Sequence, residues 1–247
     1  MMPSALCYAA GYLTGLLAFL WMARRRGMAT EGILLLVAVG LVGGLLCAGL
    51  TQRLVTGSAG KTVLGGIAGG YLSVMLAKRL LGIRRPTGDL FAVAICAGEA
   101  VGRWGCFFGG CCYGRPTHLP WAVWQHEAYR HPTQIYLSLA SLAILLMLLA
   151  LECRPQLSGT SRGNSSVLWH PLHPLPENTI FYVQGALYCV ARFCIEFWRD
   201  NGSINNLMAG PLSAAQWGCL AGSIFFVVRL IQTGRKYLLQ TDVMYGI

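Results

Sequence analysis

The sequence predicts an all-α integral membrane protein, a single transmembrane domain over residues 1–247 built as a bundle of about seven transmembrane helices. Hydrophobic residues make up 55% of the chain and charged residues only 11%, whereas about a quarter of the residues of a soluble domain are charged. The nine acidic residues are too few to solvate a surface that faces water. This composition excludes a soluble enzyme and a disordered chain.

Seven apolar runs are long enough to be transmembrane helices, which need about 20 residues to cross about 30 Å of hydrocarbon. Each run must be helical, because no water is present in the membrane to satisfy the backbone. The runs lie at about residues 5–23, 31–50, 62–81, 88–106, 133–152, 178–197 and 212–232. Between them we predict an outer (periplasmic) loop at 107–132 and a flexible cytoplasmic connector at 153–177.

The basic residues give the chain a formal net charge of +10 and lie mostly between the apolar runs. With the N-terminus outside, most of them fall on the cytoplasmic side, as the positive-inside rule requires. Those residues are Arg24, Arg25, Arg26, Lys78, Arg79, Arg84, Arg85, Arg154, Arg162, Arg229, Arg235 and Lys236. We therefore predict an N-out, C-in protein whose basic residues meet anionic headgroups of the lipid bilayer and bind no nucleic acid.

Charged residues interrupt the fourth and sixth apolar runs, where a charge is costly unless it is paired or faces a polar cavity. Arg192 and Glu196 are four residues apart and share a helix face, with Arg199 near that face. Glu99 and Arg103 have the same spacing on an earlier helix. If the two helices face each other, the pocket has excess positive charge and suits a phosphate-bearing lipid. The alternative is a pair of structural ion pairs.

Glycine is frequent in two segments, at residues 64–70 and 102–114. Glycines allow the backbone to approach a ligand closely and to turn tightly. For Gly69 and Gly70, which lie within an apolar run, we favour helix packing through small residues.

Six segments carry motifs that follow one another in a fixed order. They are Tyr8 and Tyr12 with Gly15; Leu64-Gly65-Gly66; Gly102-Arg103-Trp104-Gly105 through Gly114; His131-Pro132-Thr133-Gln134-Ile135-Tyr136; Arg192-Phe193 with Glu196-Phe197-Trp198-Arg199; and Gln216-Trp217. Together they resemble the prolipoprotein diacylglyceryl transferase family, whose motifs include His-Gly-Gly-Leu, Gly-Arg-x-Gly-Asn-Phe-x-Asn-Gly-Glu, His-Pro-Ser-Gln-Leu-Tyr and Arg-Phe-x-x-Glu-Phe-x-Arg. The resemblance covers almost the whole chain and agrees with seven N-out, C-in spans.

The resemblance implies a bacterial inner-membrane enzyme that moves the diacylglyceryl group of phosphatidylglycerol, or another anionic phospholipid, to a cysteine thiol of an exported, lipobox-bearing prolipoprotein. A thioether forms and glycerol phosphate leaves. Arg103 and Arg192 are then catalytic and bind the headgroup, while Glu196 and Arg199 complete the polar site. Substrate contacts are expected at the other motif positions: Tyr8, Tyr12, Gly65, Gly66, Gly102, Gly105, Cys106, Gly114, Gln134 and Tyr136. No cofactor and no metal ion is expected.

The chain departs from the family motifs at five positions. These are Leu64 in place of the motif's His, Cys106 and Gly109 in place of its two Asn, Cys111 in place of its Glu, and Leu137 in place of the acid after Tyr. The lipid-binding half of the site is retained and the polar acceptor half is altered. Two alternatives follow: a related phospholipid-dependent transferase with another acceptor, and a lipid-binding membrane protein without catalysis.

The general base is open to two assignments, since the position of the family's His holds Leu64. A desolvated Glu99 has a carboxylate suited to this role, and His131 is the other candidate. The alternative roles are structural pairing for Glu99 and helix capping for His131.

Cys106, Cys111 and Cys112 cluster in one loop and permit three interpretations. Packing of small residues is favoured. A disulfide on an oxidising outer face is the second. A metal site or a covalent thiol intermediate is the third, although the spacing matches no recognised metal-binding pattern.

Overall fold

The structure is a computed structural model that describes residues 2–28, 30–56, 63–153, 175–200 and 212–245. These ranges contain seven helices: α1 (Met2–Arg25), α2 (Thr30–Thr56), α3 (Val63–Leu80), α4 (Gly88–Phe108), α5 (Thr133–Glu152), α6 (Thr179–Glu196) and α7 (Ala214–Tyr245). Two short strands, β1 (Val123–Gln125) and β2 (Ala128–Arg130), pair as an antiparallel hairpin between α4 and α5. The predicted helical class and number of helices are confirmed. Most of the predicted connector at 153–177 lies outside the described residues.

Five of these helices are long and apolar enough to cross a membrane. They cover Met2–Arg25, Gly32–Leu54, Gly88–Phe108, Thr133–Glu152 and Ala214–Tyr237. The two 18-residue helices, α3 and α6, are not among them. The helix α6 is not among the candidate spans because two charged residues, Arg192 and Glu196, make this short segment less apolar. Large apolar side chains remain exposed along the long helices, as on the α5 face that carries Leu139, Leu142 and Leu146, which fits a surface in contact with lipid.

The chain divides into two compact units, one of residues 1–19 with 87–247 and one of residues 20–86. In the smaller unit, α2 packs against α3 through small residues. A Cβ atom on Gly69 would lie 2.7 Å from the carbonyl oxygen of Gly43, and one on Gly65 would lie 2.7 Å from the carbonyl oxygen of Cys47. The two backbones therefore approach as closely as only glycine permits. This is the packing role that the sequence favours for Gly69.

In the larger unit, α4 packs against both α5 and α6, and α6 also packs against α7. The buried apolar face of α4 includes Leu90, Val93 and Cys96. On α5, the hydroxyl of Ser138 donates a hydrogen bond to the carbonyl of Ala100, so α5 approaches α4 with a polar face. The central position of α4 matters for the site, because this helix carries Glu99 and Arg103.

The first turn of α4 is tied to the first turn of α6 by the buried carboxylate of Asp89. Its Oδ2 accepts a hydrogen bond from the backbone N–H of Asn178 at 3.0 Å, and its Oδ1 accepts one from the N–H of Phe181 at 2.8 Å. N–H groups in the first turn of a helix have no partner within the helix. Asp89 thus caps α6, and the two helices start side by side.

The N-terminus of α7 is closed by a reciprocal pair of hydrogen bonds between Ser213 and Gln216. The backbone N–H of Ser213 donates to Oε1 of Gln216 at 2.8 Å, and the N–H of Gln216 donates to Oγ of Ser213 at 3.2 Å. This is a capping box, which satisfies N–H donors at a helix start. The structure thereby gives the motif residue Gln216 a role in the fold.

The helices α1 and α4 meet backbone to backbone. A Cβ atom on Gly11 would lie 2.8 Å from the carbonyl oxygen of Gly98 and 2.9 Å from Cα of Gly102. Further along, the rings of Phe19 and Phe91 pack with their centroids 4.9 Å apart. Any side chain at Gly11 must therefore push the two helices apart.

We expect Gly11→Ala to lower the apparent melting temperature of the purified protein in detergent by several degrees, because forced overpacking costs about 1–3 kcal/mol. Gly218→Ala is the matched control, since a Cβ atom there meets nothing within 4 Å and alanine favours a helix over glycine. An unchanged melting temperature for Gly11→Ala would contradict the close packing of α1 on α4.

Candidate functional site

Glu99 and Arg103 form an ion pair inside α4, four residues apart. Nε of Arg103 donates to Oε1 of Glu99 at 2.8 Å, and its Nη2 contacts the same oxygen. Two side chains from neighbouring helices join the pair. The hydroxyl of Tyr188 on α6 donates to Oε1 of Glu99 at 2.9 Å, and that of Ser141 on α5 donates to Oε2 at 3.0 Å. Nη2 of Arg103 also lies 3.3 Å from the hydroxyl oxygen of Tyr188.

The carboxylate of Glu99 is therefore satisfied by donors from three helices. The arrangement fixes the direction of the Arg103 guanidinium. Within the hydrocarbon, such a network is how a charge is tolerated.

A cavity of about 310 Å³ opens beside this network, between α1 and α4. Its lining combines two aromatic hydroxyls, three glycines, the ion pair and one thiol: Tyr8, Gly11, Tyr12, Gly98, Glu99, Gly102, Arg103 and Cys106. A Cβ atom on Gly102 would meet nothing within 4 Å, so its backbone faces open space. The hydroxyl of Tyr8 donates to Sγ of Cys106 at 3.3 Å, while the Tyr8 ring covers Gly105.

Glu196 anchors the second charged group, at the end of α6. Its Oε2 lies 2.6 Å from Nη2 of Arg192 and 3.7 Å from Nη1 of Arg199. The Glu196 side chain is only 4% exposed and that of Arg192 14%. Among the residues that the structure describes, the buried Nη1 of Arg192 has no hydrogen-bond partner. A buried guanidinium donor without a partner is costly, so this atom is available to an anionic ligand.

The two charged groups lie at the same level of the bundle. Fourteen residues separate Asp89 from Arg103 on α4, and fourteen separate Asn178 from Arg192 on α6. Because the helices start together at the Asp89–Asn178 contact, both guanidiniums lie about 21 Å further along. Arg192 is close enough to Arg103 and to Arg199 for their charges to act on it. Three guanidiniums and two carboxylates thus belong to one site with an excess positive charge.

The segment after α4 is bound to the segment after α6. The backbone of Gly114 pairs with that of Arg199, and the N–H of Arg115 donates to the carbonyl of Trp198 at 2.8 Å. Nη1 of Arg130 on β2 lies 2.6 Å from Oδ2 of Asp200. These contacts fix Arg199 relative to the hairpin within the predicted loop at 107–132.

His131 lies at the base of this loop, just before α5. Its Nδ1 is 3.2 Å from the hydroxyl oxygen of Tyr136, which also accepts a hydrogen bond from Nε1 of Trp121 at 2.8 Å. The N–H of Gly114 donates to the carbonyl of His131 at 2.9 Å. Among the described residues, Nε2 of His131 has no hydrogen-bond partner.

Gln134 ties the cysteine-containing loop to α5. Its side chain is fully buried, and Nε2 donates to the carbonyl of Cys111 at 2.8 Å and lies 3.2 Å from Oε1 of Gln125. The neighbouring hydroxyl of Thr133 donates to the carbonyl of Cys112 at 2.7 Å. The structure therefore gives Gln134 a positioning role, and its predicted contact with substrate stays a prediction.

The sulfurs of Cys106, Cys111 and Cys112 all lie within 4.8 Å of one another. All ten cysteines of the chain are free thiols, so the disulfide interpretation does not describe this structure. A hydrogen bond from the Cys106 thiol lowers the pKa of Cys112 to about 7, and the charge of Arg199 acts in the same direction. The pKa of this thiol is therefore below its ordinary value, which favours the thiolate form.

The predicted site residues are divided between the two units. Tyr8, Tyr12, Gly102 and Cys106 line the cavity with Glu99 and Arg103, and Gly105 lies beneath the Tyr8 ring. Gly65 and Gly66 belong to the smaller unit, where Gly65 packs against Thr51 and Gly66 against Ala48. Their predicted contact with substrate stays a prediction.

Three residues that bind charged side chains near the site are not among the predicted site residues. Tyr188 and Ser141 bind Glu99, and Asp200 binds Arg130. For Tyr188 a signal was present, since it lies four residues before Arg192 and extends the polar face of α6 by one turn. No local pattern identifies Ser141 or Asp200, because their partners lie on other elements.

The fold and the site define a multi-pass helical membrane protein with a positively charged polar site inside the helices. The family model for prolipoprotein diacylglyceryl transferase matches residues 4–232. This chain belongs to that family.

Three relatives show the extent of the similarity, and each is named phosphatidylglycerol–prolipoprotein diacylglyceryl transferase. The protein of Gloeobacter violaceus is 34% identical over 188 residues, which is 72% of this chain and 62% of the relative. That of Acaryochloris marina is 32% identical over 174 residues, 66% of this chain and 56% of the relative. That of Clostridioides difficile is 25% identical over 243 residues, 92% of this chain and 89% of the relative. The match thus covers less than two thirds of the first two relatives and most of the third.

Proposed function

We propose that this protein transfers the diacylglyceryl group of phosphatidylglycerol to a cysteine thiol of a prolipoprotein. The observation that carries the proposal is the cavity lined by Arg103, with Arg192 at the same level of the bundle and Arg199 close enough for its charge to act on Arg192. The names of the three relatives support the choice of donor and acceptor. The lipobox of the acceptor follows from the motif resemblance.

The lipid phosphate is the ligand that the charges favour. A guanidinium binds a phosphate through two parallel hydrogen bonds, and Nη1 of Arg192 has no partner among the described residues. The Glu99 carboxylate holds Arg103 in place by binding the Nε and Nη2 atoms of the Arg103 guanidinium. Tyr8 and Tyr12 offer hydroxyls and aromatic rings at the opposite wall of the cavity, suited to the glycerol and the start of an acyl chain.

The reaction exchanges a carbon–oxygen bond for a carbon–sulfur bond. The thiolate of the acceptor attacks the glyceryl carbon that is esterified to phosphate, and a thioether forms. The bond from that carbon to the ester oxygen breaks, and its electron pair stays on the departing glycerol phosphate. The leaving group gains negative charge in the transition state, and we propose that Arg103 and Arg192 stabilise this charge.

Of the two candidate bases, the geometry favours His131. The Glu99 carboxylate receives hydrogen bonds from Arg103, Tyr188 and Ser141, so it acts as a positioning residue for Arg103. His131 is oriented through Nδ1 by Tyr136, and Nε2 takes the proton of the acceptor thiol. General base catalysis of this kind contributes about 10²–10⁴ in rate.

The altered acceptor half of the site favours a second candidate function, a phospholipid-dependent transferase with another acceptor. Cys106 and Cys111 place thiols where the family motif has an amide and a carboxylate. A thiol is a weaker hydrogen-bonding group than either. The contacts that the motif would make to a peptide acceptor are correspondingly reduced.

The membrane location that we propose is the bacterial inner membrane, with the N-terminus outside and the C-terminus in the cytoplasm. The end of α4, the hairpin and the end of α6 then lie together at the outer face, where an exported precursor is accessible. This orientation is supported by the distribution of basic residues along the chain, because Lys and Arg are in excess in cytoplasmic loops.

We expect Arg103→Ala to reduce transfer by about 100-fold or more, because losing one donor to a developing anion costs about 10²–10³ in rate. Purified protein in detergent receives phosphatidylglycerol and a lipobox peptide, and the peptide mass is followed with time. Arg235→Ala is the matched control, since this exposed arginine lies far along α7.

A wild-type protein that binds phosphatidylglycerol and adds no mass to the peptide would overturn the proposed acceptor. Diacylglyceryl product on another acceptor would then select the second candidate function. Lipid binding without turnover on any acceptor would identify a protein that binds lipid and does not catalyse.

His131→Ala and Glu99→Gln separate the base from the positioning residue. We expect His131→Ala to lower kcat by at least about 100-fold, to leave phosphatidylglycerol binding intact and to regain activity with added imidazole. Glu99→Gln is expected to raise the KM for the lipid, because Arg103 loses its anionic partner, and to gain nothing from imidazole. Imidazole rescue of Glu99→Gln in place of His131→Ala would reverse the two assignments.

The orientation is tested with a green fluorescent protein fused after Ile247 in a bacterial host that exports proteins in unfolded form. We expect fluorescent cells, since this reporter folds only when it stays in the cytoplasm. An alkaline phosphatase fusion at the same position is expected to be inactive. The reverse pattern would show that the C-terminus lies outside.

A further inference from the structure

Three thiols at the end of α4 form a compact group that the proposed transfer reaction does not use as a group. The sulfurs of Cys106, Cys111 and Cys112 all lie within 4.8 Å of one another. Cys106 is on the last turn of α4, and the other two are in the segment that follows. Among the described residues, no histidine or carboxylate completes this group, so its donors are three sulfur atoms.

The backbone holds these thiols in place before any ligand arrives. The N–H of Cys111 donates to the carbonyl of Cys106 at 3.1 Å. The buried side chains of Gln134 and Thr133, on the first turn of α5, donate to the carbonyls of Cys111 and Cys112. Cys112 has a φ of 62°, in the left-handed region. A non-glycine residue is costly in that conformation and persists only where its surroundings hold it.

We propose that Cys106, Cys111 and Cys112 form a binding site for a thiophilic monovalent metal ion, Cu⁺. Soft thiolate ligands select Cu⁺ over harder ions, whereas Zn²⁺ in structural sites takes four protein ligands. With metal–sulfur bonds of about 2.3 Å, three sulfurs in a trigonal plane lie about 4.0 Å apart. The observed group needs a contraction of less than about 1 Å, which small side-chain rotations supply.

The surroundings match the charge of such a complex. Each cysteine that binds gives up one proton to the solvent, and no electron is transferred, so three thiolates with one Cu⁺ carry two negative charges. The charge of Arg103 acts on the sulfur of Cys106, and that of Arg199 acts on the sulfur of Cys112. Each of these guanidiniums is also paired with a carboxylate, Glu99 or Glu196, so the two attract the negative charge of the bound site without neutralising it.

The test uses the full-length protein in detergent, reduced and without oxygen, titrated with Cu⁺ against a chromogenic Cu⁺ chelator. We expect one Cu⁺ per chain and an X-ray absorption spectrum with three sulfur neighbours. Cys106→Ser, Cys111→Ser and Cys112→Ser should each weaken binding by more than about 100-fold, since even outer partners of a metal site contribute about 10–100-fold. Cys153→Ser, at the end of α5, should bind as the wild type does.

The serine variants are compared by their melting temperature without copper, so that loss of binding is not confused with loss of fold. Equal copper binding by the wild type and by the triple serine variant would overturn the proposal. It would also be overturned by a reduced wild type that takes up Zn²⁺ and not Cu⁺, or that binds neither ion. These readouts need no transferase activity, so they stand apart from the proposed function.

Discussion

The carboxylate of Glu99 is the interaction on which the rest of this structure depends. A helical bundle surrounded by hydrocarbon cannot hold an unpaired charge, and an ion pair within one helix leaves most of the carboxylate unsatisfied. Glu99 therefore collects donors from α5 and α6 as well as from Arg103. The same contacts that make the charge tolerable also bind three helices together and aim a guanidinium at the cavity. Stability and ligand binding are thus consequences of one constraint.

This arrangement requires glycine at positions in the contact between α1 and α4 where a side chain does not fit. For α1 to close the cavity against α4, Gly11 and Gly98 must meet through their backbones. The same two glycines also line the cavity, together with Tyr8, Tyr12 and Gly102. Tight packing and open space therefore lie side by side along one helix pair.

The sequence predicts the helices and the charged pairs well, because both are local patterns. Apolar runs determine α1 to α7, and the four-residue spacing determines the pairs Glu99–Arg103 and Arg192–Glu196. What it cannot predict are contacts between elements. The hydrogen bond from Ser141 to Glu99 and the one from Gln134 to the carbonyl of Cys111 both depend on how α5 packs beside α4 and the segment that follows it. The packing of Gly65 against Thr51 likewise depends on the register of two helices.

The contact between Asp89 and the start of α6 has a further consequence for how such a chain can change during evolution. It makes α4 and α6 start at the same level, so that Arg103 and Arg192 lie equally far along two parallel helices. One inserted or deleted residue between that origin and either arginine would rotate the side chain by about 100° around its helix. We therefore expect length variation among such proteins in the segments between helices, with the spacing from Asp89 to Arg103 and that from Asn178 to Arg192 both kept.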